Sequence, residues 1–331
     1  MNNKLKGALL ALAAAALYAI NIPISKEIIP SCEPMILAGL LYLGAGIGVG
    51  AMLGTQLVFG SEIHRDWLGK EDLKYTVAMV VLDIAAPICL MVGLAKTNAA
   101  NVSLLNNFEI VSTAIIALVF FKEKISFKLW AAIILVLIAT SILTFEGQGA
   151  FKFNIGSCYV LLACIFWGLE NNCTRSLSDK NTQEIVMIKG IFSGLGSIVI
   201  GLIVGGVFPK VSIILAALIL GFVAYGLSIN FYIMAQKWLG AAKTGAFYAI
   251  SPFLGVVLSF IILGEVPGKQ FYVALGFMII ATFIMIIDTL GDGSVNRSYE
   301  HTHEHSHGTM VHTHTHTHFT MTPMHIHFHS H

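Results

Sequence analysis

Residues 98–128 read NAANVSLLNNFEIVSTAIIALVFFKEKISFK. The stretch enters polar, is apolar from Ile110 to Phe121, and ends in the charged turn Lys122-Glu123-Lys124. Its length and greasiness predict one membrane-spanning helix. Near the middle stands Glu109, preceded by Asn106 and Asn107. A carboxylate at that depth costs several kcal/mol unless it is paired or faces water, so intramembrane acids mark transport paths by default. Glu109 is therefore expected to line a central cavity and to titrate a proton or hold a substrate. The competing role is a hydrogen-bond anchor between helices, through an Asn or a Lys.

Composition agrees with a membrane setting. Of 331 residues, 56% are hydrophobic and 11% charged, and the mean hydropathy is +0.80. A soluble domain carries about 25% charged residues. A net charge of +1 argues against nucleic acid as a partner. The five cysteines include no CxxC pair and read as buried small hydrophobes, with a Cys32–Cys158 bridge as the minority alternative. The N-terminus has Lys4 and Lys6 before an apolar run, like a signal peptide. The run continues to Ile24, long enough to span, and cleavage is not expected.

A window of about 20 apolar residues places spans near 5–25, 34–59, 73–95, 98–121, 127–145, 154–174, 184–207, 211–236, 241–264 and 270–290. With the N-terminus inside, 14 of the 19 Lys and Arg residues fall on the cytoplasmic side. The positive-inside rule then puts both termini in the cytoplasm of a cell (inner) membrane.

The chain also compares with itself. At an offset of 142, Ala99-Ala100 falls on Ala241-Ala242, Glu123 on Glu265, Trp130 on Tyr272 and Glu109 on Ser251. At an offset of 149, Gly7 falls on Gly156, Tyr18 on Trp167 and Lys26 on Arg175. Two five-helix units follow, 1–146 and 147–290. Five is odd, so the second must run upside down relative to the first, with a site between them near the midplane. The expected fold class is an all-α integral membrane protein of ten transmembrane helices in two inverted repeats.

The duplicated unit VFFKEKISFKLWAAIILVLIA (119–139) and FIILGEVPGKQFYVALGFMIIA (260–281), with the Ser251-Pro252 opening of the ninth span, resembles the drug/metabolite transporter superfamily in its ten-helix EamA-type branch. The first copy departs from the common pattern, with Asn107-Phe108-Glu109 where proline is usual and Lys122 where glycine often precedes the Glu. The resemblance covers residues 1 to about 290. It implies export or uptake of small metabolites by alternating access, often without a defined coupling ion.

Besides Glu109, the substrate-binding candidates are Asp83, Asn106, Tyr18, Asn21, Trp167, Glu170 and Tyr248, with Tyr225 and Asn230 ranked lower. Asp83 precedes Pro87, which removes a backbone donor and can kink the helix; kinked helices are where transporters build sites. Asp83 either serves such a site or bonds the freed carbonyl. Tyr18 and Trp167 either stack on a flat substrate or form an interfacial belt. Lys189 either snorkels to the membrane surface or pairs with Glu109, Asp83 or Glu170. Glu123 and Glu265 read as turn residues bonding the amides that follow them. The glycines at 44, 46, 48, 50, 54, 190, 194, 201 and 205 permit close helix approach in lipid.

After Leu290 the composition changes. Residues 291–331 are expected to form a disordered cytoplasmic tail, because they cannot bury a core. The tail holds 12 of the 13 histidines: His301, His303, His305, His307, His312, His314, His316, His318, His325, His327, His329 and His331. Neutral imidazole at this density binds Zn, Ni, Co or Cu, although no cofactor is required for the transport reading.

The first functional expectation is thus a secondary transporter of small metabolites, such as amino acids or their analogues, with a metal-binding tail. The alternative is a divalent-metal permease fed or regulated by the tail; the absence of His from the ten expected spans counts against it, and against an enzyme. Expected partners are a small-molecule substrate, the lipid bilayer and a second copy of the chain.

Overall fold

A computed structural model describes residues 3–59, 66–121, 126–146, 152–177, 180–239, 244, 247–292, 299–307 and 310–318. Among these, eight helices are long and apolar enough to cross a membrane. Two of the ten expected spans fall short of that measure. The sixth carries Glu170, Asn171 and Asn172, and the ninth is a continuous helix only over Ser251–Leu263.

The first half holds α1 (Asn3–Ala19), α2 (Asn21–Ile28), α3 (Pro34–Val58), α4 (Leu73–Lys96), α5 (Ala99–Leu105), α6 (Phe108–Phe121) and α7 (Phe127–Thr144). A two-residue pairing of β1 (Phe145–Glu146) with β2 (Lys152–Phe153) leads into the second half. There follow α8 (Ile155–Arg175), α9 (Thr182–Ile203), α10 (Val211–Gly221), a π-helical turn (Phe222–Leu227), α11 (Ser228–Leu239), α12 (Ser251–Leu263) and α13 (Lys269–Asp292).

Helix ends follow local chemistry. Glu33 caps α3, accepting from the amides of Met35 and Ile36, and Pro34 occupies the first turn, where its missing N–H is harmless. Asn154 and Asn181 cap α8 and α9 in the same way, through the amides of Ser157 and Glu184.

Two expected spans are broken. The first splits at Ile20, three residues before Pro23, which cannot donate to the carbonyl of Ala19. The fourth was expected as one helix over 98–121 and instead turns at Asn106–Asn107. There Asn107 Nδ2 donates to the Leu104 carbonyl (3.0 Å), an alternative partner that competes with the helical ladder. Glu109 therefore sits in the first turn of a new helix, α6, rather than mid-helix.

The helices pair across the halves. The most extensive packing is α3 on α9, then α4 on α8, α7 on α13 and α1 on α11, with α5 on α12. Glycine sets the closeness of α3 and α9. A Cβ on Gly46 would lie 2.5 Å from the Ile191 amide nitrogen, and one on Gly190 would lie 2.5 Å from the Gly46 amide nitrogen. Only bare backbone fits there. Gly54, by contrast, faces open space. All five cysteines are free, so no Cys32–Cys158 bridge forms.

In the tail, where composition predicts disorder, β3 (Tyr299–His307) and β4 (Met310–His318) pair antiparallel. The physical reason is the alternation of His with a second residue type, which has the period of a strand; in β4 the alternate places are the β-branched Val311, Thr313, Thr315 and Thr317.

Candidate functional site

Residues of both halves line a cavity of about 420 Å³, chiefly from α1, α3, α6, α8, α9, the π-turn and α11, with Tyr248 ahead of α12. Its volume is that of a small-molecule site. One side is charged. Glu109, at the start of α6, accepts a hydrogen bond from Asn171 Nδ2 on α8 (2.8 Å), and Thr113 Oγ1 holds the same amide (3.2 Å). Lys189 of α9 lies between two acids: its Nζ is 3.0 Å from Asp83 Oδ2 and 3.1 Å from Glu170 Oε1. Glu170 also accepts from the Thr174 hydroxyl, one helical turn along. Asp83 is fully buried, and its Oδ1 accepts from the Tyr42 hydroxyl (3.1 Å). A buried carboxylate of this kind persists because both oxygens have partners.

The other side is aromatic. Tyr42, Tyr225, Tyr18, Tyr248 and Tyr232 make an unbroken run of ring contacts, with successive centroids 5.3, 5.6, 6.0 and 5.0 Å apart. Three of the hydroxyls are engaged by protein. Tyr42 OH also accepts from Trp167 Nε1 (3.1 Å), Tyr225 OH accepts from Asn21 Nδ2 (2.9 Å), and Tyr248 OH shares a 3.4 Å contact with Ser228 Oγ. The π-turn places Tyr225 here. A wide turn re-aims side chains by adding a residue to the helical repeat, and such turns concentrate at functional sites.

Of the eight substrate-binding residues expected from sequence, Tyr18, Glu109, Trp167, Glu170 and Tyr248 line the cavity. Asp83 stands behind the lining, bonded to Tyr42 and Lys189; its side chain crosses to α3 and α9 rather than serving the carbonyl freed by Pro87. Asn21 likewise supports from behind: it is fully buried, donates to Tyr225 and accepts from Ser25. Asn106 lies at the α5–α6 break and is not among the lining residues. Lys189 pairs with acids rather than snorkelling. Five lining residues escaped the sequence reading: Ala45, Val186 and Ile229, which add apolar surface, and two tyrosines. Tyr42 and Tyr232 each sit in apolar runs, where a tyrosine looks like core or belt; the glycine-rich setting of Tyr42 was the available signal.

At one end, several elements are laced together. Glu265, in the α12–α13 turn, accepts from the amides of Ala99 and Ala100 (both 2.8 Å), capping α5 of the other half. Its partners are not the amides that follow it, as the turn reading expected. Lys26 Nζ donates to the carbonyls of Leu94 and Thr97 (2.5 and 2.6 Å) beside it. Glu123, the counterpart of Glu265, lies outside the described residues.

A family model described as "EamA-like transporter family" matches residues 5–145 and again residues 154–287. The chain belongs to the EamA-like transporter family. It is accordingly a multi-pass membrane protein with two family units in tandem. An "uncharacterized transporter" of Methanothermobacter thermautotrophicus is 25% identical over 278 residues, covering 79% of this chain and 80% of that one. Another, from Clostridium kluyveri, is 26% identical over 233 residues, covering 67% of this chain and 75% of its own. A solved structure titled "Crystal structure of protein" superposes with a TM-score of 0.61 at 14% identity, over 87% of this chain and 99% of that one, which speaks for the fold alone. For a transporter, the cavity between the two units is where a cargo can be held.

Proposed function

We propose that this EamA-family protein is a secondary transporter that moves a small metabolite, amino-acid-like or similar, by alternating access through the central cavity. The observation that carries the reading is the cavity itself: lined by both halves, with Glu109, Glu170 and Lys189 on its wall. The helix pairing supports ten spans in two inverted repeats. Counting spans in order, the second, fourth and fifth pair with the seventh, ninth and tenth, while the third meets the sixth and the first meets the eighth. That pattern maps onto itself when the halves are exchanged, as a two-fold axis demands, and an odd number of spans per half puts the axis in the membrane plane. The cap of Glu265 on α5 then closes one end, and transport requires it to open while the other end closes. Both termini lie in the cytoplasm on the basic-residue count, and the bilayer is an inner membrane.

The test is flux. Purified protein in proteoliposomes is expected to catalyse counterflow of a metabolite that also raises its thermal midpoint by mass action. Glu109→Gln should keep the fold and lower the flux by about ten-fold or more, since a charge-assisted contact is worth at least 1.4 kcal/mol. Counterflow unaffected by Glu109→Gln would remove Glu109 from the path; no counterflow of any ligand that binds would end the carrier reading.

The divalent-metal alternative is less well supported. Among the described residues no three His, Cys, Asp or Glu side chains converge to hold a metal. The tail is a separate matter. Backbone register sets His301 opposite His316, His303 opposite His314 and His305 opposite His312. Facing pairs of imidazole-bearing residues suit Zn, Ni, Co or Cu. Zinc affinity measured by titration calorimetry should fall between pH 7 and pH 5, as free imidazole protonates near pH 6.5; unchanged affinity would contradict binding by histidine.

A further inference from the structure

We infer that the cavity selects an organic monocation, an amine or quaternary ammonium on a compact apolar or aromatic body, over an amino acid with a free carboxylate. The inference rests on the carrier reading and narrows its cargo.

Charge is the first ground. Among the described residues, Asp83, Glu109 and Glu170 bring three carboxylates to one ammonium, Lys189, the one basic residue of the lining. Lys189 already bridges Asp83 and Glu170 at 3.0 and 3.1 Å. With all four groups ionised, negative charge is in excess. In a site walled by lipid-embedded helices such an excess calls for a counter-charge, supplied by a proton or by a cationic cargo. Among the described residues Glu109 makes no ion pair; it accepts from the neutral amide of Asn171 at 2.8 Å. An entering ammonium finds its partner there.

The aromatic side is the second ground, and it is independent of the first. The rings of five tyrosines and Trp167 line the same space. The hydroxyls of Tyr42, Tyr225 and Tyr248 are held by Asp83, Trp167, Asn21 and Ser228. Tyr42, whose hydroxyl both donates to Asp83 and accepts from Trp167, offers a cargo ring rather than hydroxyl. Aromatic rings attract cations through the quadrupole and cover apolar surface, but give a carboxylate nothing. An amino acid would bring its ammonium to Glu109 and leave its carboxylate in a site whose one ammonium is already engaged by two acids. Removing that carboxylate should therefore improve binding.

The probes form a matched set on one phenyl body: phenethylamine, benzyltrimethylammonium, phenylalanine and 3-phenylpropionate, with MgCl2 as the inorganic arm. Binding is measured on the purified full chain by titration calorimetry, and counterflow in proteoliposomes. Phenethylamine and benzyltrimethylammonium should bind at least about ten-fold more tightly than phenylalanine, and phenylpropionate should not bind. Glu109→Gln should weaken both cations by about ten-fold or more, and Glu109→Asp should restore part of the loss, which separates a lost charge from a disturbed fold. Tyr248→Leu should weaken benzyltrimethylammonium. Phenylalanine binding more tightly than phenethylamine overturns the cation class; if it is also carried, the carrier reading stands without it. Tight cation binding with no counterflow keeps the site and defeats the carrier. Competition by magnesium at equal affinity, or binding of none of the organic probes, overturns the proposal.

Discussion

The two sides of the cavity are built on opposite principles. On the acidic side, Asp83, Lys189 and Glu170 satisfy one another, and each position depends on the others being ionised. On the tyrosine side, ring packs on ring, the hydroxyls of Tyr225 and Tyr248 bond neutral neighbours, and Tyr42 reaches the acids through Asp83. The first is a cooperative electrostatic unit in which removal of one member exposes the rest. The second is a stack in which loss of one group leaves its neighbours mostly in place. Tuning of cargo by mutation should therefore be far easier on the aromatic side.

The comparison breaks most sharply at Lys189. Lys189→Met leaves Asp83 and Glu170 buried without a counter-charge, and stability should drop by about 3–5 kcal/mol, read as a lowered thermal midpoint in detergent. Adding Asp83→Asn to that variant should recover part of the loss; a double variant no better than Lys189→Met would mean that the charges do not act as a unit. Next comes Tyr225→Phe. It removes the acceptor of a fully buried amide donor, Asn21 Nδ2, at a cost of about 1–3 kcal/mol. Because the damage is local, adding Lys189→Met should give summed losses. Smaller still is Glu265→Ala, outside the cavity. It uncaps α5 and should cost about 1 kcal/mol, while increasing cysteine-labelling access from the laced end. The weakest effect lies in the loops. Partial desolvation pulls the Lys180 ammonium down, but Asp72, 3.4 Å away, with Asp66 and Glu71, outweighs it and holds the group above the usual lysine value. A raised value in the folded state means that its stabilisation is complete below the ordinary lysine range and is lost as pH rises through the folded value. Lys180→Met should flatten the alkaline limb of the stability profile and leave neutral pH nearly unchanged.

Much of this was legible from residue type and position. Glu109, Glu170 and Lys189 announced themselves because charge is rare in a span. Their partners were less so: Lys189 had three acids in range of the sequence argument, and only three-dimensional packing chooses Asp83 and Glu170. The break at Asn106–Asn107 was missed because the flanking residues are greasy enough to sustain one long helix; hydropathy reports transfer to lipid, not whether an Asn side chain will take a backbone carbonyl for itself. Tyr42 and Tyr232 were invisible for a related reason. A tyrosine in an apolar run has the same signature whether it faces lipid, core or cavity. In the tail, composition spoke only to the lack of a core and said nothing about strand pairing, which the two-residue period encodes.

The glycine contact of α3 with α9 has a mechanical consequence. Gly46 is the central residue of the 25-residue α3, so one of its bare-backbone contacts with α9 lies at mid-length. A helix of that size is about 37 Å long. Rocking by about 20° around its midpoint would carry each tip some 6 Å while the fulcrum slides hardly at all. The pair would act as a first-class lever, converting a turn too small to disturb the packing at Gly46 and Gly190 into a displacement at either mouth wide enough for a small molecule to pass.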